Sequence, residues 1–272
     1  MLKSIGRWTG LVALVTIAGS AAPVWSQDGA GTPQDSVATS KAAASTSPAA
    51  ATTDDSGNEF GIYLWLTGLD GTIGFGESKD VAVDAKFTDI AGYLDFSMAG
   101  YFEMRRPKFI FGTDIFWAKL GATRPADIDG SNQDVDLNFD EYVGALGGAY
   151  RLTPQVDLWL TGRLYSLQTS QTYQGSDLSS KRQTWGDVYV GARYHMDLGS
   201  RWVAIARADI GTGGSKTAWY GNLALGYHFT PTFTLGAAYR VLSLDREDTS
   251  DGYFKWDITQ DGLGIIANFS LK

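Results

Sequence analysis

From Glu59 onward, apolar and polar residues alternate along most of this chain. Val156, Leu158, Leu160, Gly162 and Leu164 share one side of an extended backbone, and Asp157, Trp159, Thr161, Arg163 and Tyr165 share the other. The division recurs downstream. Val188, Val190, Ala192 and Tyr194 oppose Asp187, Tyr189, Gly191 and Arg193; Trp219, Leu223, Leu225 and Tyr227 oppose Tyr220, Asn222, Ala224 and His228. Phe233, Leu235, Ala237, Tyr239 and Val241 oppose Thr234, Gly236, Ala238 and Arg240. Each run lasts about ten residues, the length a tilted strand needs to cross a membrane. Between runs lie tight corners, two of them near-repeats: Tyr150-Arg151-Leu152-Thr153-Pro154 and Tyr227-His228-Phe229-Thr230-Pro231.

The pattern predicts an all-β, antiparallel up-and-down barrel of about ten strands, near 60–70, 95–106, 108–122, 134–151, 155–172, 183–197, 201–211, 217–229, 232–245 and 253–271. An even number returns both termini to one side. Short turns at 105–108, 152–155, 197–201 and 230–232 mark that side, and longer loops at 77–94, 123–133, 173–182 and 246–252, with a short one at 212–216, mark the other. Eight or twelve strands are the alternatives, because Asp70-Gly71 can turn an extra hairpin through 72–85. Phe87, Ile90 and Leu94 stand at helical spacing, so a short amphipathic helix either lies on the membrane surface or plugs the barrel mouth.

Alternation alone does not say which face is outside, since a soluble barrel with an apolar interior has the same period. Three details select a membrane barrel. The polar face mixes Asp and Arg with Gly and Ala, as suits a crowded lumen; the apolar face ends in Tyr, Phe or Trp at the turns; and long and short connections segregate to opposite sides.

The N-terminus agrees. Lys3 and Arg7 precede an apolar run from Leu11 to Gly19, followed by Val24-Trp25-Ser26, so residues 1–26 read as a cleaved secretory signal. The run is too short to span a hydrocarbon core of roughly 30 Å, which takes about 20 residues. Residues 27–58 are rich in Ala, Ser, Thr, Asp and Pro without periodicity and read as a disordered periplasmic linker, leaving 59–272 as one outer-membrane barrel of a Gram-negative bacterium.

Composition narrows the chemistry. No Cys is present, which excludes disulfides and thiolate metal sites; a net charge of −8 without a basic stripe excludes a nucleic-acid partner. Gly211-Thr212-Gly213-Gly214-Ser215-Lys216-Thr217 has Ser where a phosphate-binding loop requires Gly before Lys, and no helix follows, so it reads as a hairpin. Asp127-Ile128-Asp129-Gly130 opens like a calcium loop but carries Asn132 at the sixth position and Asn138 at the twelfth; a solvated acidic loop with Asp134 and Asp136 is the plainer reading, beside a loose divalent-cation site bridging to lipopolysaccharide. Neither metal nor cofactor is expected. His195 and His228 sit near the short turns, away from the outer rim where barrel enzymes work, so no catalytic residue is expected either. Inward parity gathers Asp114, Glu141, Asp157, Asp187 and Asp209 against Arg163, Arg193, Arg207 and Arg240, which predicts a salt-bridge network across the lumen.

Several segments resemble the uncharacterised small outer-membrane β-barrel proteins of Gram-negative bacteria. They are Tyr63-Leu64-Trp65-Leu66 with Gly68-Leu69-Asp70-Gly71, Phe87-Thr88-Asp89-Ile90, Phe102-Glu103 with Arg105-Arg106, the run from Gly186 to Tyr194, Ala208-Asp209-Ile210-Gly211, Gly226-Tyr227-His228-Phe229 and Ala238-Tyr239-Arg240-Val241-Leu242. The resemblance covers nearly everything after Glu59. It implies a barrel contacting outer-membrane lipid, lipopolysaccharide and the barrel assembly machinery, and supplies no substrate or catalytic set. The family usually ends on an aromatic residue; here Ser270-Leu271-Lys272 follow Phe269. Three roles fit: a structural or envelope-interaction barrel, a narrow channel for ions or small polar solutes, and an outer-rim enzyme acting on lipid or peptide. The solute or protein partner is not legible.

Overall fold

The computed structural model describes residues 56–75, 80–128, 131–173, 176–250 and 252–271. The signal peptide and all but the last residues of the linker lie outside them, as does Asp129. The strands are β1 (Gly57–Phe75), β2 (Val81–Ala85), β3 (Leu94–Arg105), β4 (Phe109–Ile128), β5 (Ser131–Arg151), β6 (Val156–Tyr173), β7 (Ser176–Asp197), β8 (Trp202–Gly213), β9 (Thr217–Thr230), β10 (Phe233–Asp248) and β11 (Phe254–Leu271). Between β2 and β3 stand a single helical turn, α1 (Phe87–Ile90), and a 3₁₀ turn, Ala91–Tyr93. Sequential antiparallel pairing runs from β3 to β11, and β11 closes back on β1 from Asn58↔Leu271 to Phe75↔Phe254. Ten strands thus form a closed barrel, and β2 is an extra flap paired to β1 between Leu69 and Ile73.

Closure leaves no sheet edge, the condition for strands to cross lipid. The faces divide by parity: Asp157, Trp159, Thr161, Arg163, Tyr165 and Leu167 of β6 are buried, while Leu158, Leu160 and Leu164 are 46–58% exposed. Ile62, Leu64, Leu146, Val188, Val190, Ile210, Leu223, Leu263 and Ile265 are likewise bare on the outside. So many exposed aliphatics on one continuous wall form a lipid-facing surface rather than a solvated one. Around the short-turn end, touching rings run across four strands and on to β1. Phe60 stacks on Phe269 at 4.8 Å, Phe269 meets Phe233 at 5.1 Å, Phe233 meets Phe229 at 5.9 Å, and Tyr227 joins Phe229 to Trp202 at 4.9 and 5.0 Å. This is an interfacial girdle, and Phe269 sits inside it although it is not the last residue.

Three expectations need correction. Asp70-Gly71 does not turn: β1 continues to Phe75, and Gly71, at φ 140°, lets the backbone pass so close to β11 that a Cβ would lie 2.0 Å from the Asp257 carbonyl oxygen. The loops expected at 123–133 and 173–182 are largely strand, because β4–β5 and β6–β7 continue pairing with polar residues on both faces once water surrounds them. The β6–β7 extension carries ladders such as Gln168–Ser180 and Ser166–Thr184. Leu94 does not join the inward face of the helical segment; it is exposed, whereas Ile90 packs on the interior core. The segment therefore packs on the interior core beside β1, with Val83 and Ala85 of β2 buried in the same cluster. Outside the membrane span, Lys255 and Tyr253 donate to Asp80 at 2.8 Å each, hold its carboxyl below the usual range and clasp the flap to β11.

The face assignment makes a numerical prediction. Leu160→Arg, facing mid-wall lipid, should cost roughly 2–4 kcal/mol, and Ser166→Arg, at the outer boundary of the same strand face, about 0–1 kcal/mol. Equilibrium unfolding from lipid vesicles measures both, and equal costs would mean that the apolar belt is misplaced.

Candidate functional site in the barrel lumen

A barrel of ten strands is wider than one that ordinary side chains fill, so its interior needs large or long residues. The chain supplies them in two layers. Toward the long-strand, extracellular end, rings close the bore: Trp65 meets Phe116 at 5.3 Å, Phe139 stacks on Trp256 at 6.1 Å, and Trp185 packs between Tyr165 at 5.2 Å and Phe254 at 6.0 Å. The hydroxyls of Tyr165 and Tyr189 bond at 2.5 Å. At the same rim, the β8–β9 hairpin dips inward. Its Ser215 is 2% exposed, accepts the Trp185 indole N–H at 3.0 Å and donates its backbone N–H to Asp187 at 2.7 Å. Gly211–Thr217 is therefore part of a lid over the aromatic layer.

Below this layer lies the charge network. Arg193 donates Nε and Nη2 to Asp157 at 3.2 and 3.1 Å and Nη1 to Glu103 at 2.5 Å. Arg105 bridges Glu59 at 2.8 Å and Glu103 at 3.2 Å. Asp157 also meets His195 Nε2 at 2.8 Å and lies 3.5 Å from Arg151. Higher up, Arg163 and Arg207 share Asp209, at 3.2 and 2.9 Å, and Arg207 donates to Thr161 at 3.1 Å. Arg240 bonds Asp114 at 3.0 Å, donates to Tyr63, and reaches Tyr220 at 3.1 Å; Tyr63 donates to Asp114 at 2.8 Å.

Two pairs of like charges face each other on the lumen side of the ladders, Glu59↔Glu103 and Arg193↔Arg207. Such pairs destabilise a sheet unless something intervenes. Arg105 bonds both glutamates, and the Trp159 ring is flanked by the two guanidiniums, 4.8 Å from Arg193 and 4.3 Å from Arg207. Gly191 makes the Asp209 position feasible, since a Cβ there would fall 2.1 Å from its Oδ1.

Of the residues expected in the network, Asp114, Asp157, Arg163, Arg193, Arg207, Asp209 and Arg240 form its ion pairs. Glu141 and Asp187 lie in the lumen but meet neutral donors, Glu141 the side-chain amide of Gln260 at 2.8 Å and Asp187 the backbone of Ser215. Glu59, Glu103, Arg105 and Arg151 were not expected. Their parity was readable, but only the β1–β3 and β5–β6 registers bring them to the same level. Among the described residues, no group of three or more His, Asp or Glu stands in position to hold a metal. A cavity of about 160 Å³ remains between the ion pairs and the rings.

An apolar outer wall, closed pairing and a charged, ring-filled bore decide the class. The chain is a membrane-spanning β-barrel of the outer-membrane kind. No protein-family model and no curated protein matches it. Among solved structures it is similar to Ail, the attachment invasion locus protein of Yersinia pestis, at 11% identity, with 79% of this chain and 98% of that one covered and a TM-score of 0.36. It is similar to the Ralstonia pickettii toluene transporter TbuX at 9% identity, covering 80% and 90%, TM-score 0.38. It is similar to the outer membrane protease OmpT from Escherichia coli at 10% identity, covering 80% and 98%, TM-score 0.38. Likenesses at this level carry no argument about role, which rests on this barrel's own lumen.

Removing one member of the network should be costly because its partners stay buried. Arg193→Ala leaves Asp157 and Glu103 short of a cation and should lose about 3–5 kcal/mol. Lys216→Ala breaks a bridge to Glu247 between exposed side chains and should change stability by less than about 1 kcal/mol. Unfolding midpoints of the two variants in the same lipid test the contrast.

Proposed function

We propose that this protein is a closed outer-membrane barrel that does not conduct, and that its role is structural or envelope-interacting rather than enzymatic. One observation carries the reading: the bore is obstructed twice, by the cross-lumen ion pairs and by the ring layer with the inturned β8–β9 hairpin. The polar extensions of β4–β7 then present a paired polar surface beyond the membrane. On this reading its partners are outer-membrane lipid along the apolar belt, lipopolysaccharide at the outer rim and the barrel assembly machinery during insertion. Both histidines lie toward the short-turn end, His195 against Asp157 and His228 against Thr234 at 2.6 Å, away from the outer rim where an enzymatic barrel would act.

Planar-bilayer recording tests it. The wild type should be silent, and Arg193→Ala, which removes both a charge partner and bulk, should leak. Steady single-channel conductance by the wild type would instead make the barrel a narrow channel. In that case the same substitution should shift selectivity toward cations by removing a positive wall charge.

A further inference from the structure

The barrel wall ends unevenly at its extracellular side, and this leaves a sheet edge open. β7 pairs with β6 along its length, from Val156↔Tyr194 to Tyr173↔Ser176, but with β8 only from Asp197↔Val203 to Asp187↔Gly213. Beyond Gly186, whose carbonyl accepts the Gly214 N–H at 2.9 Å, the β8–β9 hairpin turns into the lumen. Among the described residues, no strand pairs with Ser176–Trp185 from that side.

Parity gives the direction of the exposed backbone groups, which alternate sides along a strand. His195 donates its N–H toward β6, to Gln155, whereas the Gly186 carbonyl faces β8–β9. Odd residues of β7 thus bond toward β6 and even residues away from it. Ser180, Arg182 and Thr184 therefore aim their N–H and C=O groups at the open edge, at and beyond the outer boundary of the apolar belt. The bulge in the β6–β7 ladder, between Gln171 and Thr172, lies farther out and leaves this stretch regular.

The opposite edge of the extension is blunted. β4 leaves β3 after Leu120, but Tyr93 packs against Leu120 and Ala122, and Pro125 brings no N–H. On β7, Ser176–Trp185 holds neither Pro nor Gly. It carries Lys181 and Arg182 against Asp177 alone, in a chain of net charge −8. Arg182 is exposed and donates to the neutral side-chain carbonyl of Gln168 at 3.1 Å. A row of alternating backbone donors and acceptors is matched by another extended polypeptide. A second barrel in the same membrane would bring the same strand running the same way, with cations beside cations, which destabilises a sheet.

We propose that the β7 edge from Ser180 to Thr184 is a docking site for an extended, acid-bearing segment of another protein outside the cell, added as a strand beside β7. The proposal rests on the envelope-interaction role above. Conductance tests closure of the bore and strand binding tests this edge, so either can fail alone.

The probe is a fluorescent peptide of about eight residues alternating threonine and glutamate, added to the folded full barrel in lipid nanodiscs. Anisotropy should show saturable binding of one peptide per barrel, and a fully N-methylated peptide, which lacks N–H donors, should not bind. Ser180→Pro removes an edge N–H without touching the β6 ladder and should weaken binding about tenfold or more. Arg182→Glu turns an opposite cross-strand charge into a like one and should weaken it about tenfold. Lys119→Gln, in the same row of the sheet on β4, should bind like the wild type. Should Ser180→Pro fail to fold, as judged by heat-modifiable migration, Arg182→Glu and the N-methylated peptide carry the comparison. Absence of saturable binding by the wild type overturns the site; so does undiminished binding by the N-methylated peptide or by both β7 variants, or binding that Lys119→Gln weakens equally. Equal binding of the lysine counterpart of the probe, or association of barrels with each other that Ser180→Pro abolishes, overturns the acid-bearing partner.

Discussion

Every part of this structure follows from having to fill a closed tube. Pairing β11 to β1 satisfies the backbone within lipid, but it also creates an interior too wide for aliphatic side chains and too dry for lone charges. Arginine and tryptophan meet both demands. A guanidinium spans the bore, accepts several carboxylates as partners and stacks on a ring, so each one fills volume while its charge is compensated. Arg163 does so with Asp209 at one end and the Tyr220 ring 4.0 Å from its Cζ.

The walls are unequal because of this. Long side chains rise from β1, β3 and β6–β8, while the lower halves of β9–β11 offer Ala224, Gly226, Gly236, Ala238, Gly262 and Gly264. Bulk on one wall needs its absence on the other, which gives the glycine-rich strands a structural reason. The residual 160 Å³ marks where this complementarity is incomplete.

Strand parity was legible in the sequence because a period of two needs no knowledge of neighbours. The face of Leu158 or Arg163 could therefore be read directly. Partner choice was not legible, because it is settled across the bore. Arg163 stands opposite Asp187 in its own ladder yet bonds Asp209, and Asp187 turns instead to a hairpin that folds in from β8–β9. The same reason hid Glu59 and Glu103. Read along the chain they are isolated acids; only the register puts them side by side with Arg105 between them. The extent of β4–β7 was missed on other grounds, since polar residues on both faces erase the alternation while leaving the hydrogen bonds intact.

The first strand is held unequally by its two neighbours. It pairs with β11 along its whole length but with β3 only from Gly57 to Ile62, after which β2 and the turn of α1 take the place beside it. At Gly68 the incoming chain approaches so closely that a Cβ would stand 2.8 Å from the Ala85 carbonyl oxygen. The outer half of this seam is thus sealed by a tucked-in segment rather than by a ladder. The last and first strands are joined along a full ladder, whereas on the other side of β1 the outer wall finishes at a patch rather than at a strand. Variation in residues 86–93 would register as a change in how tightly the wall closes, with the fold itself intact.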